Sequence, residues 1–341
     1  MERRKTWKYK YRGRENVRAR LPEAYKGAVL KFGTHTKLNQ SYEALFIELP
    51  EKKAKASINL ESLFDEHENG GDLEEFYATI PDIVESREVD TLRKIANDYD
   101  EIKPRLFIQL SRVEGNEELL KNIPYHQIED LALTYYILVE RNEEGTGKAL
   151  LSNSWLESIG VSQEQLHQDA LENSPKLFPP IVMTMQQAMR DIIMPENEET
   201  MSQENFEEAL AQESIPLIFV SNEEKFNGAG VLFYPDVMKQ LGEKLGDFCV
   251  IPSSVHETLI LPDSEGIHPD LLKVMVAEVN DAVVANEDRL TTEVYHYDTK
   301  DRIFEKADKF LARQNEKSRK LSVEKENKGI QKPKKSHEMS L

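Results

Sequence analysis

Two short stretches of the chain hold the residue types that nucleophilic chemistry uses. Ser253-Ser254-Val255-His256-Glu257 puts two hydroxyls, an imidazole and a carboxylate within five positions. Tyr295-His296-Tyr297-Asp298 puts an imidazole and a carboxylate two residues apart, on one side of an extended segment. If their strands are neighbours, Ser253 or Ser254 would be the nucleophile, His256 or His296 the base and Asp298 the orienting acid. This is the set that serine-dependent hydrolysis requires. The competing reading is a hairpin connection: Pro252 presets φ and the serines bond nearby amides. No Gly-x-Ser-x-Gly elbow surrounds either serine.

A third candidate is the start of the chain. Trp7, Tyr9 and Tyr11 alternate with Lys8, Lys10 and Arg12. Aromatic faces stack on bases while cations meet phosphates, which is how single-stranded nucleic acid is held. The alternative is a solvated arm that folds back on its own acidic body.

Other motifs fail on inspection. Gly145-Thr146-Gly147-Lys148 ends like a phosphate loop, but Asn142 and Ala149 stand where glycine and a hydroxyl residue are needed, so a hairpin turn is expected. Gly228-Ala229-Gly230 is followed at 233 by Phe and precedes an apolar triplet, the wrong order for a dinucleotide fingerprint. His256-Glu257 has no second histidine at 260. The single cysteine, Cys249, excludes cysteine-based zinc sites and any intrachain disulfide. No metal and no cofactor is expected.

The elements that must position these residues are legible in outline. Leu131 to Val139 is almost continuously apolar and aromatic, as expected of a central strand buried on both faces. Strands are also expected at 29–32, 44–47, 106–110, 148–152, 216–220, 231–233, 248–251, 258–261 and 292–297. Helices are expected at 14–26, 60–69, through most of 72–99 and after Ser162, which with Gln165 forms a capping box. Others follow Pro180 and start at Pro235 and Pro269. In the last of these Leu272, Met275, Val276, Val279 and Val283 line one face. Pro175, Pro179 and Pro180 read as chain breaks.

These elements predict an α/β (α+β) fold with a mixed, largely antiparallel sheet and packed helices in residues 104–306. A smaller αβ lobe precedes it at 15–103. Residues 1–14 form the basic aromatic arm, and 307–341 a basic tail, disordered from about 313.

Charge narrows the partners. The chain has 341 residues and a net charge of −18. Residues 1–20 hold nine Lys/Arg against two Asp/Glu, and residues 313–341 hold nine against four, which leaves 26 basic and 56 acidic residues between them. Such a body repels phosphate backbones, so nucleic acid is expected only at the basic ends. No 18-residue apolar run and no secretory leader is visible, so no membrane association is expected. A lone thiol fits a reducing, cytoplasmic setting. With no convergent catalytic, metal or phosphate site in view, the leading expectation is a non-enzymatic interaction or regulatory protein with a protein partner. A serine hydrolase and a nucleic-acid tether are the alternatives.

Several stretches resemble a known family. They include Leu21-Pro22-Glu23-Ala24-Tyr25, Asn122-Ile123-Pro124-Tyr125-His126, Trp155-Leu156-Glu157, Val220-Ser221-Asn222, and Ile251-Pro252-Ser253-Ser254-Val255-His256-Glu257. From about residue 16 to 300 the chain is similar to the uncharacterised bacterial proteins grouped as domain of unknown function 5688. The order of its elements also resembles domain of unknown function 1444. The resemblance implies an intracellular bacterial protein and no particular reaction.

Overall fold

The computed structural model describes residues 13–48, 56–85, 91–92, 94–142, 145–193, 216–252 and 254–330. The aromatic arm through Arg12, the acidic stretch 196–208 and Ser253 therefore lie outside the described residues.

The first lobe begins with a helix at 13–20 (α1). It ends there rather than at 26, because the residue before Pro22 is pushed out of the helical region. An antiparallel sheet follows, with β1 (Val29–Lys37), β2 (Gln40–Glu48) and β3 (Ala56–Asn59) in that order. Three short helices close the lobe: α2 (Leu60–Glu68), α3 (Leu73–Ala78) and α4 (Ile80–Val84). Val17, Leu30, Leu45, Ile58 and Ile80 share its core.

The β1–β2 turn consists of Leu38 and Asn39, with Asn39 in the left-handed region at φ 63°. The turn docks on the second body through a reciprocal pair. The Asn39 N–H donates to Asn116 Oδ1, and Asn116 Nδ2 donates to Asn39 Oδ1, both at 2.7 Å.

Two antiparallel sheets build the second body. One holds β4 (Leu106–Arg112), β5 (Tyr125–Ile128), β6 (Leu131–Asn142) and β7 (Gly145–Leu150), with β6 paired to the other three. After α5 (Asn153–Ile159) and α6 (Gln163–Leu177) comes β8 (Pro180–Thr184), and after α7 (Met185–Ile193) comes β9 (Ile218–Asn222). A 3-10 helix (Gly228–Phe233) leads to α8 (Val237–Leu245), β10 (Phe248–Ile251) and β11 (Thr258–Pro262). The chain ends with α9 (Pro269–Val283), the hairpin β12 (Tyr295–Asp298) and β13 (Ile303–Lys306), and α10 (Ala307–Ile330). The second sheet runs β13-β12-β10-β11-β9-β8. Every strand pair among the described residues is antiparallel, so the expected mixed sheet is resolved into separate antiparallel ones.

Both sheets feed one core. Leu131, Leu133, Tyr135 and Ile137 of β6 meet Ile218, Val220, Phe248, Val250 and Tyr295 of the other sheet. The double burial expected of Leu131 to Val139 is observed. Ser162 caps α6 as expected, accepting from the Gln165 N–H at 3.1 Å. Pro175 does not break that helix, which runs on to Leu177. Ser174, buried beside it, donates to the Ala170 carbonyl at 2.6 Å and accepts from the Ile108 N–H, which pins the last turn to β4. Residues 231–233 are not a strand; buried Val231 and Leu232 sit in the 3-10 helix that threads between the sheets.

Two further differences concern the C-terminal third. Residues 313–330 are helical, not disordered. Arg313 near the start of α10 is held by Asp298 (2.9 Å), Asp301 (2.6 Å) and Glu305 (2.6 Å). In α9 the inward residues are Leu272, Val276 and Asn280, whereas Met275, Val279 and Val283 face solvent with Leu271 and Val274. The helix is apolar on two faces, so periodicity alone does not choose between them.

This assignment is measurable. Leu272→Ala should cost about 2–5 kcal/mol in denaturant unfolding, through lost burial and a cavity. Met275→Ser should stay within about 0.5 kcal/mol, as an exposed position does.

Candidate functional site

Among the described residues Ser254, His256, His296 and Asp298 do not converge, and Ser253 lies outside the described residues. Ser254 is buried just beyond β10, and its Oγ accepts from the His256 backbone N–H at 3.0 Å. The His256 ring is committed elsewhere. Its Nδ1 accepts from the Asn227 N–H at 3.1 Å and its Nε2 lies 3.4 Å from Asp288 Oδ1. An imidazole whose Nδ1 accepts a backbone N–H carries its proton on Nε2, so no lone pair is left to take a serine proton.

His296 and Asp298 share one face of β12 but serve different partners. His296 Nε2 is 2.8 Å from Asp263 Oδ2, while Asp298 accepts from Arg313 and from the Asp301 N–H. Burial pushes the Asp298 carboxyl up, but the Asp301 N–H and Arg313 outweigh it and hold the group below the usual carboxylate range. Cys249, not a serine, stands opposite His296. Ser254 lies five residues further on, beyond the end of β10.

A different set of side chains does converge, on the sheet face of β6 that points away from the shared core. Strand register places Phe107 and Gln109 of β4, Tyr136 of β6 and Lys148 of β7 on that face. Lys148 reaches across Tyr136, its Nζ 4.9 Å from the ring centroid, to donate to Gln109 Oε1 at 2.8 Å. It lies in a shallow concavity of about 20 Å³, open to solvent, whose walls include Phe107, Phe178, Phe226, Asn222, Asn227 and Tyr234. Gly145-Thr146-Gly147-Lys148, expected to be a hairpin turn, is instead the start of β7, paired with β6 from Asn142↔Gly145. Its lysine nevertheless faces this concavity, which a local motif test does not reveal.

The wall opposite Lys148 is the loop 222–228. Asn222 clamps it at both polar ends, donating from Nδ2 to the Phe226 carbonyl (3.0 Å) and accepting at Oδ1 from the Phe226 N–H (3.3 Å). Lys225 and Asn227 take left-handed conformations, φ 51° and 53°. Gly228 is obligatory at the close of the loop. A Cβ there would fall 2.2 Å from Ser221 Oγ and 2.8 Å from the His256 carbonyl. His256 thus has a positioning role: its ring packs on Phe226 with centroids 4.9 Å apart, and its carbonyl accepts from Ser221 Oγ and the Gly228 N–H.

Electrostatics single out the lysine. Burial, and next the positive charge of Lys37 at the end of β1, lower the Lys148 amine to about 8 against the partial support of Glu224. Glu224 is itself engaged by Arg141 at 3.0 Å and by the Thr146 hydroxyl. Lys37 is brought within range by the docked β1–β2 turn, so both lobes contribute to the site.

The family model described as a family of unknown function, DUF5688, matches residues 7–299. The chain belongs to this family. No curated protein and no solved structure matches it, so the likeness to domain of unknown function 1444 has no support from these comparisons. Two of the stretches that carry the DUF5688 resemblance, Val220-Ser221-Asn222 and Ile251 to Glu257, meet in space at the base of the 222–228 loop.

The lowered amine has a consequence for stability. A folded-state value near 8 against an unfolded value near 10.5 means the native state carries a penalty at pH 7. That penalty is complete below about pH 8 and disappears as pH rises through 10.5. Lys148→Met should therefore be more stable than wild type at pH 7, by on the order of 2 kcal/mol. The gap should close between pH 8 and 10.5 in urea melts.

Proposed function

We propose that this DUF5688 protein acts by recognition rather than turnover. It is a non-enzymatic binding protein whose shallow concavity receives the anionic group of a small ligand, the ligand's apolar body lying against the open aromatic rim. The observation that carries this reading is the desolvated amine of Lys148 among aromatic walls. Burial and Lys37 both disfavour its positive charge, and an anion in the concavity would relieve both. Gln109 and Asn227 supply further polar groups, while Phe107, Phe178 and Phe226 suit a flat apolar group. Of the groups that would support a hydrolase, Ser254, His256, His296 and Asp298 are paired with other residues, while Ser253 and the aromatic arm of the nucleic-acid reading lie outside the described residues.

Phenyl phosphate, benzoate and inorganic phosphate test it. Phenyl phosphate or benzoate should raise the melting temperature of the wild type more than inorganic phosphate does. The shift should vanish in Lys148→Met and shrink in Phe226→Ala, with no phenol released. Equal shifts in wild type and Lys148→Met, or phenol release that depends on Lys148, would refute the proposal.

One specific observation favours a second contact, with a protein. Leu271, Met275, Val279 and Val283 form an exposed apolar i, i+4 ridge along α9 with Val274 beside it, and Asp270 and Glu278 flank it. The occupant we infer is a helix with an apolar face and basic edges. A designed Leu/Lys amphipathic peptide should bind wild type and lose affinity for Met275→Ser/Val279→Ser, and a Leu/Glu peptide should not bind. Equal binding of both peptides, or wild-type self-association abolished by the double substitution, would overturn that occupant.

A further inference from the structure

On the opposite side of the molecule, under α10, the second sheet presents another group of donors. Asp247 immediately precedes β10, Asp263 immediately follows β11, and His296 lies on β12, the neighbour of β10. Antiparallel register brings them together: Phe248 stands opposite both Pro262 and Tyr297, and the Asp263 N–H donates to the Asp247 carbonyl at 3.0 Å. One ligand atom from each of Asp247, Asp263 and His296 lies within 4.8 Å of the others.

Three features separate this group from an ordinary acidic surface. First, the donors are unlike. An imidazole nitrogen joins two carboxylates, and the Cys249 thiol stands behind them, 3.7 Å from Asp263 Oδ1. Second, the imidazole is built in. His296 is 2% exposed and the Phe310 ring of α10 stacks on it at 3.5 Å; among the described residues its Nδ1 has no hydrogen-bond partner, and Asp263 at Nε2 is the ring's one hydrogen-bond partner.

Third, the charge is unbalanced. On the same sheet face and the adjoining turn, Asp298, Asp301 and Glu305 are matched by Arg313 and Lys317. Among the described residues neither Asp247 nor Asp263 has a lysine or arginine partner. Asp247 is oriented by the Thr299 N–H at 2.9 Å and by the Thr299 hydroxyl, the kind of outer support that ligating carboxylates carry. Asp263 is partly exposed and opens the group to solvent.

We propose that Asp247, Asp263 and His296 form a binding site for a divalent cation of the zinc class. Nitrogen and carboxylate donors with a thiol nearby suit a borderline cation better than magnesium or calcium, which favour oxygen throughout. Three protein ligands leave a coordination position for water. The cation would join three adjacent strands beneath α10 and supply the positive charge that no side chain provides. The site is independent of the Lys148 concavity.

The test uses the untagged full-length chain, stripped with chelator and titrated with ZnCl2 by calorimetry, with CoCl2 as a spectroscopic probe. One equivalent of zinc should bind and raise the melting temperature, and cobalt should show the visible absorption of a four-coordinate site. Asp247→Asn and Asp263→Asn, which leave the buried imidazole in place, should each weaken zinc binding by more than about tenfold. Glu265→Gln, on the adjacent turn, should leave it unchanged. Absence of saturable binding would overturn the proposal. So would affinity unaltered in Asp247→Asn and Asp263→Asn, or displacement of zinc by equimolar magnesium.

Discussion

The pleat of β6 is the constraint from which the rest of the second body follows. Successive side chains on a strand point to opposite faces, and β6 is covered on both. Its odd-numbered residues from Leu131 to Ile137 fill the core shared with the second sheet. Tyr136 is thereby forced outward between Phe107 and Lys148. A one-residue slip in register would put that tyrosine in the core and Tyr135 over the concavity. The lysine's desolvation and its contact with Gln109 both depend on that register, so the candidate site is fixed by the same pairing that fixes the core.

The same alternation governs the second sheet. Phe248, Val250, Tyr295 and Tyr297 turn toward the shared core, which leaves Cys249 and His296 on the side of α9 and α10, with Asp298 held there by Arg313. Arg313 then does two things at once. It neutralises Asp298 and Glu305, which are themselves largely buried, and it anchors a helix that is exposed from Asn315 to Val323. A basic tail that looks disordered by composition acquires its first turns from three acidic partners supplied by the β12–β13 hairpin.

How much of this could be read from sequence divides along locality. The apolar run of β6, the Ser162 cap and the strands around Cys249 are local signals, and each is present in the fold. Val231-Leu232-Phe233 failed because a short apolar triplet specifies burial without specifying period, and the 3-10 helix buries Val231 and Leu232 completely. Pro175 failed because a proline near a helix end removes one hydrogen bond that Ser174 offsets through its own contacts. The pairing of Ser254 with His256 was illegible for a related reason. Ser254 and His256 are neighbours in sequence, yet the partners of the His256 ring are Asn227 and Asp288, each about 30 residues away. Lys148 was dismissed inside a turn motif, since its meaning depends on Gln109, Phe226 and Lys37, none of which is near it in the chain.

The balance of charge makes these sites more than incidental. A body with 56 acidic and 26 basic residues presents a repulsive field to anions at long range. An anion can be held by such a protein only where a cation is desolvated, so that its short-range attraction exceeds the screened repulsion of the surface. Lys148, walled by aromatic rings and with Lys37 nearby, meets that condition, whereas exposed lysines paired to glutamates do not. The converse holds for cations. The acidic surface attracts them everywhere but weakly, and selectivity requires donors fixed in place before the ion arrives. Asp247, held by Thr299, and His296, clamped beneath Phe310, meet that second condition on the far side of the same fold.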